Sequence, residues 1–375
     1  MRVVIFHFNP IEKFPPVMNL IRLLETKLPG NVHLVVFTTR ATVRTELFQS
    51  TNKQVKIKRF GLNTIHMNAL LRYFNYLRYF LGSLAYCLFS KPDKFFYYES
   101  MSALVPLLLK KFIFKKAPLF IHYHEYMSAL DYKHMYLSGL FHRLEKKLYE
   151  GAAWISQTNP ERMQLFLQDI GTPDLGNVHV YPNYPLREWG KYKTTAQINL
   201  PVRLVYVGSF GSMETIYIKE ALEWIKEQQG KITLDIYSFN IPENVTAYVK
   251  SLNCAFIQIL EAVNYYELPG ILKDYDAGLI LYKGTSKNFE YNAPNKLFEY
   301  LVCGLDVWYP ATMKGVWMYD SPVDWPKVVR LDFEKLRQYG IEEFVYRQTG
   351  AKRTINFTCE DASKDLVDNL IYDKQ

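Results

Sequence analysis

Residues 291–307, YNAPNKLFEYLVCGLDV, decide the fold of this chain. Pro294 stands where a helix begins, Asn292 is a candidate N-cap, and apolar side chains follow at helical spacing. Gly304 ends this helix just before a run that is typical of a buried strand. The pattern predicts a crossover helix of a parallel sheet, with Glu299 near the end whose free amides attract phosphate. On composition alone, the favoured interpretation is an ordinary crossover helix with a solvated glutamate.

Short apolar runs alternate with amphipathic segments along the rest of the chain. Predicted strands lie at residues 3–8, 33–38, 55–60, 95–98, 119–122, 153–156, 179–181, 203–207, 232–237, 256–259, 277–281 and 306–309. Predicted helices lie at residues 17–28, 68–89, 103–112, 135–149, 161–168, 216–228, 243–251, 266–273 and 295–302. Strands that alternate with helices build parallel sheets covered on both faces, so the predicted fold class is α/β.

The alternation breaks once, in a polar stretch at residues 186–200 that lacks periodicity. We therefore predict two α/β domains joined there, which suits a chain of 375 residues. The predicted limits are an N-terminal domain at 1–188, a linker at 189–201, a C-terminal domain at 202–340 and a tail at 341–375. Two open α/β domains place ligands at the carboxyl ends of their strands, facing the cleft between them.

The composition argues against a disordered, fibrous, zinc-binding or disulfide-rich protein. With 49% hydrophobic residues the chain can bury a sizeable core, and its four scattered cysteines form neither a zinc motif nor a disulfide framework. Such cysteines suit a reduced cytosolic protein. Residues 69–90 are long enough to span a bilayer, but Arg72, Asn75 and Arg78 interrupt them and argue against a membrane helix. The short apolar run at the start of the sequence ends at Asn9. This run predicts a buried strand rather than a signal peptide.

The net charge of +8 is unevenly placed. Residues 1–190 hold 24 Lys and Arg against 13 Asp and Glu, a balance of +11, whereas the remainder of the chain balances at −3. The basic residues that are interleaved with Phe, Tyr and Leu are Arg59, Arg72, Arg78, Lys91, Lys94, Lys110, Lys111, Lys115 and Lys116. They indicate either solvated helix faces or a surface that docks on anionic lipid. The chain shows no recognised nucleic-acid-binding motif, so nucleic acid is not an expected partner.

Residues 294–300, PNKLFEY, followed by Cys303 and Gly304, resemble the donor-site helix of GT-B glycosyltransferases, particularly the retaining family 4. The resemblance implies two Rossmann-like parallel-sheet domains facing an interdomain cleft, with the tail returning to the N-terminal domain. It implies transfer of a sugar, with retention, from a UDP- or GDP-sugar to a hydroxyl of a glycan or lipid-linked acceptor in polysaccharide synthesis. Such enzymes generally need no metal, so we expect no cofactor besides the nucleotide sugar. We expect a cytoplasmic protein, peripheral on the inner face of the membrane.

Other segments agree with this resemblance. Residues 203–212, RLVYVGSFGS, resemble the first strand and phosphate-facing loop of the donor domain, and residues 261–282 resemble the unit that seats the base at Val263. Glu299 would accept hydrogen bonds from ribose hydroxyls, and the amides of residues 292–295 would hold the diphosphate. The residues that the resemblance assigns to donor binding are Gly208, Ser209, Phe210, Tyr237, Ser238, Val263, Asn292, Asn295, Lys296 and Glu299.

In the N-terminal half, residues 119–126, LFIHYHEY, place two histidines and a glutamate at the carboxyl end of a strand. His122 and His124 share one strand face because side chains alternate with period two. The pair alone is also typical of core histidines, or of a metal site whose third ligand is missing. The resemblance implies the following roles: His124 and Glu125, with Lys296, in catalysis, and Asn9, His122 and Asn183 on the acceptor side.

Several positions depart from the family pattern. Ser209 stands where an arginine is common, and residues 213–215 replace the neighbourhood of a lysine, so Lys296 or Lys283 would have to neutralise the diphosphate. Tyr291 stands where a first glutamate is common. Two alternatives therefore stay open. One is a catalytically silent GT-B subunit that scaffolds a partner transferase, and the other is a different nucleotide-sugar enzyme such as an epimerase or hydrolase.

Overall fold

The computed structural model describes residues 1–41, 46–63, 67–192, 197–347 and 354–372. The chain forms two compact units: unit 1 comprises residues 1–183 and the segment from 359 onward, and unit 2 comprises residues 184–358. The predicted linker at 189–201 therefore lies inside unit 2. Its Trp189 is buried there, with its ring centroid 4.8 Å from that of Tyr265.

Unit 1 is built on a parallel sheet of seven strands in the order β3-β2-β1-β4-β5-β6-β7. The strands are β1 (Arg2–Phe6), β2 (His33–Arg40), β3 (Val55–Leu62), β4 (Lys94–Tyr98), β5 (Leu119–Tyr123), β6 (Trp154–Gln157) and β7 (Val178–Val180). The helices are α1 (Pro15–Lys27), α2 (Ala69–Ser90), α3 (Leu104–Phe112), α4 (Ala129–His134), α5 (Tyr136–Glu145) and α6 (Pro160–Ile170). The strand order reverses between β1 and β4, so their carboxyl ends form the switch point of this sheet.

Unit 2 is built on a parallel sheet of six strands in the order β11-β10-β9-β12-β13-β14. The strands of the unit are β8 (Gln197–Ile198), β9 (Val202–Val207), β10 (Ile232–Tyr237), β11 (Ile257–Leu260), β12 (Ala277–Leu279), β13 (Asp306–Pro310), β14 (Val328–Leu331) and β15 (Tyr346–Arg347), of which β8 and β15 form a separate antiparallel pair. The helices are α7 (Ile218–Glu227), α8 (Glu243–Leu252), α9 (Leu268–Leu272), α10 (Lys287–Glu290) and α11 (Asn295–Val302). Here the strand order reverses between β9 and β12.

The chain ends in unit 1 with α12 (Cys359–Ala362) and α13 (Lys364–Ile371). The amine of Lys94, a buried residue of β4, donates to the carbonyl oxygens of Asn369 and Tyr372 at the C-terminal end of α13. These carbonyls have no partner within the helix, and a cation near them also opposes the negative end of the helix dipole. Lys94 thereby holds the C-terminal end of α13 against the start of β4.

Two predicted segments differ from the structure. The predicted tail begins at 341, but residues 341–358 lie in unit 2 because Ile341 and Phe344 are buried in its core. The predicted helix at 135–149 begins one residue later, at Tyr136, because the backbone at Met135 is extended, with φ −109° and ψ 109°. It continues as α5 to Glu145 and then as a 3-10 turn at Lys146–Leu148, and the preceding helix α4 was not predicted.

Helix α2 exposes many of its apolar side chains. Leu70, Phe74, Leu81 and Phe89 are each more than half exposed, with exposed fractions of 81%, 54%, 52% and 89%. The opposite face, with buried residues such as Tyr79, packs on the core. Within the part of the chain that the structure describes, no helix is long and apolar enough to cross a membrane. The exposed side of α2 is therefore an apolar surface of unit 1.

Candidate functional site

The carboxyl ends of β9 and β12 form the switch point of unit 2, where open α/β sheets bind their ligands. The loop after β9 begins at Gly208, whose φ of +117° is a conformation that residues with side chains rarely adopt. The amide of Gly208 donates to the carbonyl oxygen of Tyr237 at the end of β10, at 3.0 Å. A Cβ at position 208 would lie 3.4 Å from the amine of Lys296, so glycine keeps this approach open.

Helix α11 is anchored to the sheet by Tyr300. The backbone N–H of Val207, the last residue of β9, donates to the Tyr300 hydroxyl oxygen at 3.0 Å. The Tyr300 ring packs so closely on β12 that a Cβ at Gly278 would lie 2.2 Å from it. Lys296 lies one turn earlier on the same helix, so Tyr300 fixes its position relative to the loop after β9.

Lys296 is a buried lysine that lacks a hydrogen-bond acceptor. Its residue is 7% exposed, its ammonium lies 3.9 Å from the centroid of the Tyr206 ring, and no described group accepts a hydrogen bond from Nζ. Burial lowers the pKa of Lys296 to about 7, while Glu299 opposes this shift. Lys283, the other candidate, is bound to Glu220 at 2.9 Å. Lys296 therefore has donors ready for an anion, and Lys283 is already paired.

Glu299 is buried beside Lys296 on α11. Burial raises its pKa to about 7, while Lys296 and a hydrogen bond from Tyr265 lower it. Tyr265 begins a 3-10 helix after β11 that is capped by the side chain of Asn264. Half-buried Val263 lies two residues before Tyr265 in the same loop. The loop after β11 is thereby joined to the site at Glu299.

The loops after β9 and β10 are tied to each other. Phe210 is buried, and its amide donates to the carbonyl oxygen of Asn240 at 3.3 Å. The hydroxyl of Ser238 in turn bonds the backbone of Asn240 at 3.3 Å. Ser209 is exposed, with its carbonyl oxygen accepting a hydrogen bond from Tyr206 at 3.0 Å. The loop after β9 therefore meets Lys296 at Gly208 and is tied to the loop after β10, while the loop after β11 meets Glu299 at Tyr265.

One predicted role on α11 is wrong. Pro294, not Asn292, holds the N-cap position, and it makes no side-chain capping bond. The segment before the helix packs closely on Gly315, where a Cβ would lie 2.4 Å from the carbonyl oxygen of Tyr291. Glycine at 315 therefore allows this segment its position. Asn295 is the first residue of the helix and is half-buried.

Three buried histidines gather at the switch point of unit 1, and we call them the histidine cluster: His7, His122 and His124. His7 follows β1, and the ring centroids of His122 and His124 lie 4.7 Å apart at the end of β5. The ring of Tyr98 stacks on His124 at 4.9 Å, and Nδ1 of His122 lies 2.8 Å from the Ser156 hydroxyl. Among the residues that the structure describes, no three His, Cys, Asp or Glu side chains form a metal-binding group.

Hydrogen bonds define the tautomers of two cluster histidines. Nδ1 of His7 lies 2.7 Å from the carbonyl oxygen of Asn9, and Nδ1 of His124 lies 3.3 Å from Oδ1 of Asn183. Both oxygens only accept, so Nδ1 carries the proton and Nε2 is left as an acceptor. No described group bonds either Nε2 atom. Burial lowers the pKa of His7 to about 4, that of His122 to about 3 and that of His124 well below its usual value, so the cluster stays neutral at pH 7.

Glu99 is a site residue that the sequence analysis missed. It follows β4 at the switch point, with a φ of +61° that is uncommon for any residue but glycine. Its carboxylate accepts the backbone N–H groups of His124 at 2.6 Å and of Glu125 at 3.2 Å. Burial raises the pKa of Glu99 to about 8. Glu99 therefore positions the backbone that carries His124.

Glu125 and Asn9 are held by other partners. The Glu125 side chain is 56% exposed and pairs with the buried Arg162 at 3.4 Å, and Arg162 also donates to the carbonyl oxygen of His124. The side-chain oxygen of Asn9 accepts a hydrogen bond from Asn63 at 2.7 Å. Of the predicted N-terminal residues, the structure brings the two strand histidines and Asn183 together, whereas Asn9 joins them only through its backbone.

Solved structures resemble this chain over nearly its whole length, although no family model and no curated protein sequence matches it. Sucrose-phosphate synthase from Thermosynechococcus elongatus is 10% identical, with a TM-score of 0.68 over 99% of this chain and 95% of that chain. A glycosyltransferase from Rickettsia africae is 12% identical, with a TM-score of 0.64 over 98% and 94%. Anabaena HepE in complex with UDP-glucose is 10% identical, with a TM-score of 0.61 over 99% and 95%.

These similarities, together with the two parallel sheets and their helices, define the GT-B class of fold. At identities of 10–12% the likeness shows the fold alone. One fold carries many activities, so the function has to be argued from the site.

Proposed function

We propose that the chain is a glycosyltransferase that moves a sugar from a UDP- or GDP-sugar to a hydroxyl acceptor. The observation that carries this proposal is Lys296, a buried amine with no hydrogen-bond acceptor beside Gly208 at the switch point of unit 2. A diphosphate supplies the anion that such an amine lacks. HepE, which has the same fold, was solved with UDP-glucose, and this supports the same class of donor.

The proposed donor complex uses the residues around α11. Lys296 binds the diphosphate together with the amides at the start of the helix, near Asn295. The bound anion raises the pKa of Lys296, which keeps the amine charged where negative charge develops on the departing diphosphate. Glu299 accepts hydrogen bonds from the ribose hydroxyls. We propose no metal for this step.

In unit 1 we assign the contact with the sugar to His124. Its Nε2 atom is a neutral acceptor without a partner among the described residues, which suits a hydroxyl donor. Glu99 and Asn183 hold it in place through its backbone and its Nδ1 atom. Glu125 is a second candidate for catalysis. The proposal includes retention by front-face displacement, which rests on the resemblance of α11 to the retaining family 4.

Nucleotide binding and donor turnover test the proposal. UDP or GDP should raise the melting temperature by mass action, and the matching donor should be turned over. Glu299→Ala should weaken nucleotide binding roughly 10-fold or more, because a hydrogen bond to a charged group contributes about 1.5–3 kcal/mol. Glu290→Ala is the matched control, since Glu290 pairs with Lys314 at 2.6 Å. Absence of binding and turnover, with no effect of Glu299→Ala, would refute the assignment.

Product analysis separates the transferase from the alternatives that the sequence leaves open. A transferase yields a glycosylated acceptor and free nucleotide diphosphate. An epimerase or hydrolase changes the donor without any acceptor. A silent scaffolding subunit shows no donor turnover at all.

We propose further that unit 1 docks on an anionic membrane and thereby reaches a lipid-linked acceptor in polysaccharide synthesis. Across α2 there is no Asp or Glu, and Arg72 and Arg78 stand among exposed apolar side chains such as Leu70 and Phe89. Further exposed basic residues, on and beyond the end of α3, are Lys111, Lys115 and Lys116. Exposed apolar and basic side chains on one helix are typical of a surface that lies in the membrane interface.

Two basic residues predicted for this surface do not belong to it. Lys94 is buried, and its amine binds carbonyl oxygens at the end of α13. Arg59 pairs with Glu12 at 2.6 Å and donates to the carbonyl oxygen of Phe48. These two charges hold unit 1 together, so the docking surface is confined to α2 and the region around the end of α3.

Vesicle sedimentation tests the membrane proposal. The wild type should bind vesicles that contain phosphatidylglycerol and not vesicles of phosphatidylcholine alone. Arg72→Glu with Arg78→Glu should weaken binding roughly 30-fold or more, because each basic residue near an anionic surface contributes about 1 kcal/mol and reversal removes at least that much. The control with the same change in net charge, Lys250→Glu with Lys273→Glu on exposed positions of unit 2, should bind as the wild type does. Equal binding to both kinds of vesicle would contradict the proposal.

A further inference from the structure

We propose that Phe239 is the platform on which the nucleobase of the donor stacks, an inference that rests on the proposed function. Phe239 lies in the loop between β10 and α8, and 71% of it is exposed. Neither the sequence pattern nor the family resemblance assigns it a role. Its position, rather than its exposure alone, carries the inference, since single exposed apolar residues are common.

The loop that carries Phe239 is fixed on both sides of the phenyl ring. The carbonyl oxygen of Tyr237 accepts the amide of Gly208 at 3.0 Å, and the carbonyl oxygen of Asn240 accepts the amide of Phe210 at 3.3 Å. Phe239 is therefore held between two hydrogen bonds to the very loop that faces Lys296. A ring in such a loop loses little conformational freedom when a ligand covers it.

The end of β10, just before Phe239, is held by side-chain hydrogen bonds as well. The hydroxyl of Tyr275 donates to Asp235 at 2.6 Å, and the hydroxyl of Tyr237 lies 3.0 Å from that of Tyr275. Because Tyr275 uses its proton on the carboxylate, Tyr237 donates to Tyr275. This chain of hydrogen bonds holds the end of β10, and with it the start of the loop.

The surrounding loops point to a nucleobase as the occupant. Lys296 and Gly208 mark the proposed diphosphate position, and Glu299, which Tyr265 joins to the loop after β11, marks the proposed ribose position. The base has to lie beyond the ribose, near the loops after β10 and β11. Phe239 is two residues past the carbonyl that binds Gly208, a reach of at most about 7 Å. Every nucleobase has a π face, so an aromatic ring here accepts UDP and GDP alike.

Calorimetric titration of the full chain with UDP, GDP and inorganic pyrophosphate tests the inference. Phe239→Ala should weaken UDP and GDP by roughly 5-fold to 150-fold, the usual effect of removing one stacking ring, and leave pyrophosphate within about 2-fold. Phe239→Tyr should retain the wild-type affinity. Val323→Ala, which shortens another apolar residue that is 76% exposed in unit 2, should change none of the three. In Phe239→Trp, UDP should quench indole emission beyond any change in the wild type, and pyrophosphate should not.

Three other outcomes would each refute either the stacking assignment or the proposed function. If the wild type binds UDP and Phe239→Ala binds it equally well, the stacking assignment is wrong and the proposed function stands. If Phe239→Ala weakens pyrophosphate as much as UDP, the residue acts through the loop after β9 and not by stacking. If the wild type binds neither nucleotides nor pyrophosphate, the proposed function fails together with this inference.

Discussion

Replacement of Lys296 by methionine is expected to weaken nucleotide binding strongly without lowering the stability of the fold. Affinity for UDP or GDP should fall roughly 30-fold or more, because truncating one partner of a buried, hydrogen-bonded charge pair costs at least about 2 kcal/mol. Stability should hold because the amine lacks a hydrogen-bond acceptor, while methionine keeps much of the apolar stem. If the substitution weakens binding but not stability, Lys296 serves to bind a ligand and does not stabilise the fold.

The pH dependence of stability provides a second measurement on the same variant. Burial lowers the pKa of Lys296 from 10.5 in the unfolded chain to about 7, so the unfolded state binds more protons between these values. The contribution of Lys296 therefore destabilises the fold fully below pH 7 and fades as the pH rises towards 10.5. Glu299 acts in the opposite sense, since its pKa is raised to about 7 and its penalty grows from pH 4.5 to 7. Urea unfolding of Lys296→Met should lack the rise in stability between pH 7 and 9 that the wild type shows.

Lys283→Met is the matched control for this prediction. Lys283 lies in the same unit but pairs with Glu220 at 2.9 Å, so its loss should slightly lower stability and leave nucleotide affinity unchanged. If Lys283→Met lost binding and Lys296→Met kept it, the diphosphate would have been assigned to the wrong lysine.

The sequence predicts the sheets well because their strands are nearly continuous apolar runs between turn residues. The strand predicted at 232–237 and the helix predicted at 295–302 coincide with β10 and α11. The prediction failed where tertiary contacts decide. Trp189 lies in a polar stretch that reads as a linker, yet its ring is buried against Tyr265, a residue far away in sequence. No local pattern in 186–200 records that contact.

Candidate site residues were named from the sequence where a motif contains them and were missed where only the folded geometry brings them together. Lys296 and Glu299 were named as candidates because they belong to a helix whose sequence motif is recognisable. Glu99 and His7 were missed, although Glu99 directly follows the strand predicted at 95–98 and His7 lies near the end of the strand predicted at 3–8, at the edge where ligands bind. Their role depends on strand order, since β1 and β4 become neighbours only in the folded sheet. A signal was available, namely polar residues directly after central strands, but it does not identify which strands are central.

The segment that carries Glu99 is itself held by a buried carboxylate, Glu145. Glu145 is fully buried and accepts hydrogen bonds from Tyr97 at 2.9 Å, Ser100 at 2.6 Å and Tyr149 at 3.1 Å, with Nδ1 of His142 at 2.9 Å. It therefore joins α5 to the end of β4 and to the residue after Glu99. Burial raises the pKa of the Tyr97 and Tyr149 hydroxyls well above their usual value, and the nearby carboxylate adds to this shift.

Glu145→Ala is expected to lower the free energy of unfolding by about 3–5 kcal/mol, because several buried donors lose their common acceptor at once. Hydrogen exchange should show where the loss falls, with protection decreasing in peptides from the end of β4, the segment after it and α5, and remaining in unit 2. Glu150→Ala removes an exposed glutamate five residues along the chain and should stay within about 0.5 kcal/mol of the wild type. A Glu145→Ala protein as stable as Glu150→Ala would show that the donors find other acceptors. A destabilised Glu145→Ala protein that still bound UDP with wild-type affinity would show that nucleotide binding depends on unit 2, where Lys296 lies.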